Sequence, residues 1–369
     1  MRRLLGGIAL LAGCSGNVTD ETDGQTTDTS VVECPDAESF VDPVDGIVTA
    51  LDASGTRVAW VERTSPTTPT VLYAMNADGS GQREVHRSIE GREIVSMKIA
   101  GDNIVFLETL GVGQESALFL DEVLPPPGVS ATRVATRTWN NGEQLVGATA
   151  EDAYVIFNNS GATVDRIQLS DGFPTRVGQV AGTARPTHLV LDGEDIYFRA
   201  APDAGGNGRV YHLSTSDENA TAEALGAIGA SPECGFPAGG LVATPDALVC
   251  GLDTVASFPR ATGNGSTTVV EATQGVRQIP VASDGDLVYF IDRGAAQTDV
   301  PISVVSEDGS GLTDLACDVR EVQYRTYDGN VPDQSMFQVA LTDDAVFWVQ
   351  ERRGTEAGAS TIAIKYAPR

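Results

Sequence analysis

The stretch Ile279–Cys317, IPVASDGDLVYFIDRGAAQTDVPISVVSEDGSGLTDLAC, decides the fold. Its apolar runs are short and are separated by Asp, Gly and Ser, the residues that tight strand reversals use. The stretch therefore predicts four strands joined by short turns. A unit this small cannot bury its apolar faces alone, so we expect it to pack against similar units.

The first half of this pattern recurs along the chain. Each copy has an apolar strand, a short polar turn and a second strand with large apolar residues. The copies are 47–62, 94–108, 145–158, 187–200, 241–252, 279–292 and 337–350. We align the second strands at Val58, Ile104, Tyr154, Ile196, Leu248, Leu287 and Val346, which lie on average about 48 residues apart. This period is typical of the blades of a β-propeller.

A third strand follows every copy, and a fourth can be placed after the first six. The seventh copy ends without a fourth strand, whereas the apolar segment Val31–Cys34 precedes the first copy as a spare strand. We therefore predict an all-β, seven-bladed propeller of four-stranded antiparallel blades, with an N-terminal strand that closes the last blade. Six or eight blades, or a β-sandwich pair, are the alternatives. The fifth copy departs most, because Cys250 and Gly251 replace the usual aromatic pair.

Two turns carry a resemblance to a known family. The segments Leu72–Gly81 (LYAMNADGSG) and Ile302–Gly311 (ISVVSEDGSG) resemble the turn between the third and fourth strands of TolB-type propeller repeats, and Leu169–Gly172 matches in part. By analogy, this resemblance implies a role in assemblies of the bacterial cell envelope.

The N-terminus is similar to the signal peptide of a bacterial lipoprotein. Two arginines precede an apolar run, and Leu11–Cys14 (LAGC) matches the lipobox. The run is too short to span a bilayer, which indicates a processing segment. We expect a signal peptide over 1–13, lipid on Cys14, a flexible Thr- and Asp-rich tether over 14–30 and the propeller over 31–369. A coincidental cysteine is the alternative. Ser15 stands where an aspartate would favour inner-membrane retention, so we expect the outer membrane.

The chain is strongly acidic, with a formal net charge of −27 and a pI near 4.3. Nucleic acid and anionic lipid would be repelled as direct partners. Cations, basic proteins or solubility alone are compatible with this charge.

Four cysteines remain after Cys14, an even number that predicts two disulfides in an exported protein. Of the three pairings, we favour Cys234–Cys250, which closes a loop around blade 5, and Cys34–Cys317, which pins the closing strand. Metal binding by cysteine is disfavoured because no CxxC spacing occurs.

Recognised catalytic motifs are lacking. The sequence has no GxSxG elbow, P-loop or GxGxxG turn. His86 and His212 are placed on outer or third strands, where a structural role is expected. His188 and Lys98 are placed on innermost strands near the central channel, and they are the candidates for a channel site.

Carboxylates recur at the turn between the first and second strands of successive copies. Asp284, Asp286, Asp343 and Asp344 belong to this set and would lie on one rim of the disc. Oxygen ligands of this kind suit Ca²⁺. Asp is also a common residue of tight turns, so turn formation is the alternative.

Two classes of function follow. The first is a lipid-anchored, non-catalytic scaffold that binds a protein or another envelope component, with no cofactor and with an oligomeric state that the sequence leaves open. The second is a propeller enzyme of hydrolase, lyase or lactonase type with a site in the central channel. The absence of catalytic motifs favours the first.

Overall fold

In a computed structural model, the chain folds into seven sheets arranged as a seven-bladed β-propeller. The structure describes residues 38–65, 68–109, 115–124, 130–137, 143–158, 161–181, 186–200, 209–225, 240–251, 253–272, 276–294, 300–319, 338–353 and 360–369. All regular elements in these ranges are strands. In the same ranges, no helix has the length and apolar character needed to cross a membrane.

The strands are grouped by blade. Blade 1 contains β2 (Ile47–Ser54), β3 (Arg57–Arg63), β4 (Val71–Asn76) and β5 (Arg83–Arg87). Blade 2 contains β6 (Glu93–Ala100), β7 (Asn103–Thr109), β8 (Ser116–Glu122) and β9 (Thr132–Arg137). Blade 3 contains β10 (Gln144–Ala148), β11 (Asp152–Asn158), β12 (Gly161–Gln168) and β13 (Pro174–Ala181). Blade 4 contains β14 (Thr187–Asp192), β15 (Asp195–Ala200), β16 (Arg209–Ser214) and β18 (Glu223–Ala224).

The remaining blades complete the ring. Blade 5 contains β19 (Gly240–Ala243), β20 (Ala247–Gly251), β21 (Val255–Pro259) and β22 (Thr267–Val270). Blade 6 contains β23 (Val276–Asp284), β24 (Leu287–Gly294), β25 (Val300–Ser306) and β26 (Thr313–Val319). Blade 7 contains β27 (Val339–Leu341), β28 (Ala345–Arg353), β29 (Ser360–Pro368) and β1 (Glu38–Asp45).

The predicted architecture is confirmed. Seven blades of antiparallel strands follow one another in chain order, and an N-terminal strand pairs with the last blade. Blade 3 has one addition that was not predicted. The short strand β17 (Ala220–Thr221) pairs in parallel with β13 as a fifth strand, so a segment next to the outer edge of blade 4 also binds blade 3.

The closing strand was predicted at the wrong segment. The outer strand of blade 7 is β1, which pairs with β29, whereas Val31–Cys34 lies outside the described residues. The physical reason is aromatic packing, because Phe40 in β1 contacts Phe347 and Tyr366 at centroid distances of 4.7 and 6.0 Å. The segment 31–34 carries no aromatic residue that could make these contacts.

One hydrogen bond recurs in all seven blades and fixes their register. The residue that follows the third strand donates its backbone N–H to the carbonyl of the turn between the first and second strands. The donors are Ala77, Val123, Leu169, Thr215, Arg260, Glu307 and Arg369, at distances of 2.7–3.1 Å. We call these seven residues the clasp residues and the rim that they form the turn rim.

The clasp hydrogen bonds correct two positions of our alignment. They make Ala153 and Val288, rather than Tyr154 and Leu287, equivalent to Val58 in blade 1. Leu287 is an exposed residue beside the turn, whereas Val288 is fully buried. In each blade two adjacent residues are apolar, Leu287 and Val288 in one and Ala153 and Tyr154 in the other. Hydropathy does not show which of the two is equivalent to Val58, so each alignment was wrong by one residue.

Side chains at the seams between blades form the core. The clasp residue of each blade lies against the preceding blade. All seven seams contain an apolar cluster. At three consecutive seams the clasp residue is itself apolar, because Ala77, Val123 and Leu169 pack in the clusters that contain Phe347, Ala59 and Val105, respectively. The four remaining seams carry polar or charged clasp residues.

Blade 5 is regular despite its unusual sequence. Gly251 ends β20 where blade 6 approaches closely, and a Cβ atom there would lie 2.3 Å from the carbonyl oxygen of Gln278. The small residue that weakened the sequence pattern is therefore required by packing between blades.

Candidate functional site

A large groove lies on the turn rim across blades 4, 5 and 6. Its volume is about 1070 Å³, and turns from all three blades form its walls. The lining includes Asp192, Glu194, Asp195, Asp246 and Asp284, together with Arg260, Tyr197 and His212. We call it the blade 4–6 groove.

Arg260, the clasp residue of blade 5, organises the groove. Its Nε donates to the Tyr197 hydroxyl at 2.9 Å, and its guanidinium carbon lies 5.3 Å from the centre of the same ring. The guanidinium also pairs with the carboxylates of Asp192 and Asp195 on blade 4. A further bond to the carbonyl of Thr244, at 3.1 Å, ties the side chain to blade 5. Arg260 thus joins the two blades at the floor of the groove.

These contacts hold Arg260 in its charged form. Burial by itself lowers the pKa of Arg260, but the hydrogen bond to Tyr197 and the charge of Asp192 outweigh it and raise the pKa. Burial raises the pKa of Tyr197, although the hydrogen bond from Arg260 acts in the opposite direction. Both residues therefore keep their protons near neutral pH, which is consistent with a structural role for the pair.

His212 belongs to the same network. Its Nε2 lies 2.7 Å from Oδ1 of Asp195, and its ring stacks on Tyr197 with a centroid distance of 5.0 Å. The prediction of a structural role for His212 agrees with these contacts, although the residue also lines the groove. His86 is likewise engaged, with its Nε2 2.9 Å from Glu108.

Two carboxylates of the groove are not neutralised. Glu194 and Asp246 lie in the exposed turns of blades 4 and 5, and the described residues give neither of them a cationic partner. Arg260 forms ion pairs with Asp192 and Asp195, and Arg369 forms an ion pair with Asp284. The groove is therefore an open cavity with negative charge left over at its mouth.

A second arginine makes similar contacts at the seam between blades 6 and 7, next to the groove. Arg369, the clasp residue of blade 7, donates to the Tyr289 hydroxyl at 2.7 Å and to the carbonyl of Thr342 at 2.8 Å. It also pairs with Asp284. A sequence signal for both exists, since a third strand ends at Pro259 and at Pro368 and an arginine follows each time. The blade period does not reveal this signal, because the two copies are separated by a blade.

The central channel is smaller, and most of the residues that line it are aliphatic. Its volume is about 430 Å³, and all seven innermost strands line it. Lys98 lines it as predicted, but its Nζ lies 3.5 Å from Asp52, whose other carboxylate oxygen accepts the backbone N–H of Ile99 at 2.8 Å. His188 lies on innermost strand β14, and its side chain is outside what the structure describes. A channel site that uses Lys98 and His188 therefore stays a prediction.

The predicted calcium ligands lie on the turn rim, as expected for residues of the first turn. Asp284 ends β23, Asp286 lies in the turn of blade 6, and Asp343 and Asp344 form the turn of blade 7. Among the described residues, no group of three or more His, Cys, Asp or Glu side chains is placed to hold a metal ion. Calcium at these four residues stays a prediction.

The cysteine predictions fall largely outside the described residues. Cys14, Cys34 and Cys234 lie there, as does the side chain of Cys317 in β26. Cys250 is fully buried in β20 and is disulfide-bonded. The pairings Cys234–Cys250 and Cys34–Cys317, and the lipid on Cys14, stay predictions.

Comparisons with known proteins support the fold alone. No protein-family model matches the chain, and a search of curated proteins finds no relative. Among solved structures, the chain is similar to a prolyl endopeptidase, with a TM-score of 0.58 and 11% identity over 89% of this chain and 50% of that one. The chain thus spans about half the length of that peptidase.

Two further solved structures are matched over nearly their whole length. The oligogalacturonate lyase of Vibrio parahaemolyticus has a TM-score of 0.57 and 10% identity, over 91% of this chain and 94% of that one. YCF48 bound to D1 peptide has a TM-score of 0.56 and 10% identity, over 90% of this chain and 97% of that one. A peptidase, a lyase and a peptide-binding protein share this architecture, so the β-propeller is shown and the function is not.

Proposed function

We propose that this protein is a lipid-anchored, extracytoplasmic β-propeller that binds a basic segment of a partner protein in the blade 4–6 groove. The observation that carries the proposal is the groove itself, an open cavity of about 1070 Å³ in which Glu194 and Asp246 have no cationic partner among the described residues. Unpaired carboxylates at the mouth of a cavity attract Lys and Arg side chains.

The groove suits a polypeptide better than a small metabolite. Carboxylates from the turns of three blades are spread along it, so a segment with several basic residues can meet them in succession. The overall charge of −27 adds long-range attraction for a basic partner and repels anionic ones. YCF48, which shares the architecture, was solved with a bound peptide, and that structure supports peptide binding as a use of the scaffold.

The described residues favour binding over catalysis at this groove. Arg260, Tyr197 and His212 are held in hydrogen bonds and ion pairs that join blades 4 and 5. In the channel, Lys98 is paired with Asp52. The propeller enzyme remains the alternative, and a substrate turned over in the channel by wild type but not by Lys98→Ala would favour it.

A peptide-binding measurement tests the groove. The probe is a fluorescein-labelled ten-residue peptide of alternating Lys and Ser, titrated by fluorescence anisotropy in 0.15 M NaCl. The double variant Glu194→Gln/Asp246→Asn should weaken binding by about tenfold, which corresponds to about 1.4 kcal/mol. The matched control is Asp343→Asn/Asp344→Asn, which removes the same charge from exposed residues of the blade 7 turn.

The control variant distinguishes peptide binding in the groove from general attraction of the peptide to the negative charge of the protein. The proposal requires that the control variant bind the peptide within twofold of wild type. Equal weakening in both variants would show that the peptide senses only net charge, and no weakening in the groove variant would show that it binds elsewhere.

The anchor has a separate test. Cys14→Ser should move the protein from the membrane fraction to the soluble fraction of the producing bacterium, because the thiol is the acceptor of the lipid. If Cys14→Ser stays with the membrane after a high-salt wash, lipid anchoring at this residue is wrong.

A further inference from the structure

Blade 6 contains a buried carboxylate to which the described residues give no compensating positive charge. Asp292 lies on β24 near the end opposite the turn rim, and only 4% of it is exposed. Its Oδ1 has no hydrogen-bond partner, and no described basic side chain forms an ion pair with it. Burying a carboxylate in this way is costly unless something balances the charge.

A second unpaired oxygen lies beside the first. Gln278 is the cross-strand partner of Asp292 in the β23–β24 pair and is 1% exposed. The Gln278 side chain acts to lower the pKa of Asp292, and Oε1 of Gln278 is buried and has no hydrogen-bond partner. Two buried acceptor oxygens therefore occupy neighbouring positions, and the described residues give neither of them a donor.

A second carboxylate reinforces the negative charge. Asp314 on β26 accepts a hydrogen bond from the buried Ser303 hydroxyl at 2.6 Å. Burial, followed by the charge of Asp314, raises the pKa of Asp292 to about 6. Blade 6 therefore contains a second carboxylate that lies near enough to Asp292 to act on its charge.

A buried carboxylate in blade 3 shows how this protein otherwise balances such a charge. Asp165 on β12 is as buried as Asp292, but Arg137 and Arg176 pair with it at 2.8 and 3.4 Å. Asp292 has an amide and another carboxylate where Asp165 has two guanidinium groups. The cation that is supplied by the chain in blade 3 is missing from the described chain in blade 6.

We propose that Asp292, Gln278 and Asp314 bind a hard divalent cation, Ca²⁺, inside blade 6. The site would offer oxygen ligands alone, two carboxylates and an amide carbonyl, which is the donor set that Ca²⁺ takes, with water completing its shell. Two carboxylates balance the charge of a divalent ion. The site is distinct from the turn-rim carboxylates Asp284, Asp286, Asp343 and Asp344 and does not depend on the proposed groove.

Thermal unfolding with and without calcium tests the site. Wild-type protein, first dialysed against EDTA and then freed of it, should gain on the order of 5 °C in Tm when CaCl₂ is added at a hundredfold excess over Kd. Asp292→Asn should abolish the gain. Asp314→Asn, a milder change at a less buried residue, should reduce it. Asp343→Asn/Asp344→Asn should keep the full gain, which separates the site from surface carboxylates.

Each other outcome overturns the proposal. A Tm of wild type that does not respond to CaCl₂, or a gain that Asp292→Asn retains, would exclude the site. If the Tm of wild type falls as pH rises through 6 and ignores calcium, the charge is balanced by a proton. Calorimetric titration with CaCl₂ provides the second readout, with one equivalent of bound calcium whose heat disappears in Asp292→Asn and whose affinity is weakened in Asp314→Asn.

Discussion

The seams of this propeller differ between two contiguous parts of the ring. From blade 7 through blade 3, the clasp residues Ala77, Val123 and Leu169 are apolar and belong to apolar clusters. From blade 3 through blade 7, the clasp residues are Thr215, Arg260, Glu307 and Arg369. The backbone hydrogen bond of the clasp is the same in all seven blades. It therefore does not determine whether the clasp side chain is apolar or charged.

The difference between the two parts has a functional consequence. An apolar clasp residue packs in the seam and needs no charged partner from the preceding blade. A seam sealed by arginine needs carboxylates from the preceding blade, as Asp192 and Asp195 serve Arg260. The carboxylates of the blade 4–6 groove are therefore partly structural, and only those that arginine does not engage remain for a ligand.

The largest expected effect is on an apolar seam. Leu169→Ala removes a side chain that is 7% exposed from the seam between blades 2 and 3. We expect the free energy of unfolding to fall by about 2–4 kcal/mol, through lost burial and a residual cavity. The loss should not depend on salt. Urea unfolding at 0.05 and 0.5 M NaCl measures both, and Leu312→Ala, at an exposed position, is the control that should stay near wild type.

A smaller, salt-dependent effect is expected at the polar seam. Arg260→Met keeps much of the side-chain volume but removes the ion pairs with Asp192 and Asp195 and the bond to Tyr197. We expect a loss of roughly 1–3 kcal/mol, since the pairs are only partly buried. The difference from wild type should shrink at 0.5 M NaCl because salt screens the interactions that are lost.

The control for this variant is an exposed pair. Arg87→Met breaks the half-exposed pair with Glu84 on the outer strand of blade 1 and should cost less than about 0.5 kcal/mol. If Arg260→Met is equally harmless, or if its cost is the same at both salt concentrations, charge does not stabilise the polar seam and the comparison fails.

The smallest expected effect concerns the turn between the third and fourth strands, which has the same backbone geometry in blade 1 and in blade 6. Gly79 in blade 1 and Gly309 in blade 6 have φ angles of 82° and 85° and equivalent hydrogen bonds. A Cβ on Gly79 meets nothing within 4 Å, whereas one on Gly309 lies 2.9 Å from the carbonyl of Val269 in blade 5. Gly79→Ala should cost about 1 kcal/mol from backbone strain alone, and Gly309→Ala should cost about 1 kcal/mol more. Equal Tm values for the two variants would contradict this packing difference.

Much of the fold was predictable because it follows from local patterns. The strand–turn–strand copies, the Asp-Gly turns and the missing strand of the seventh copy together predicted seven blades closed by an N-terminal strand. The closing strand was placed too early, since Val31–Cys34 and Glu38–Asp45 both carry apolar residues. Only the contacts of Phe40 with Phe347 and Tyr366 distinguish the two segments.

The groove and the buried Asp292 were not predictable in the same way. Arg260, Tyr197 and Asp192 lie on different strands of two blades, and no periodicity in the sequence couples them. Asp292 reads as an ordinary polar residue after an apolar run, and its burial depends on blade 5 packing against blade 6. Sequence patterns report which residues share a strand, but they do not report which strands of neighbouring blades meet.

The sequence by itself determined the blade repeat, the turn chemistry and the acidic charge, because each depends on residues that are neighbours along the chain. The tertiary structure decided which carboxylates are paired, which are left free and which are buried. Those properties depend on distances between blades, and closure of the ring sets these distances.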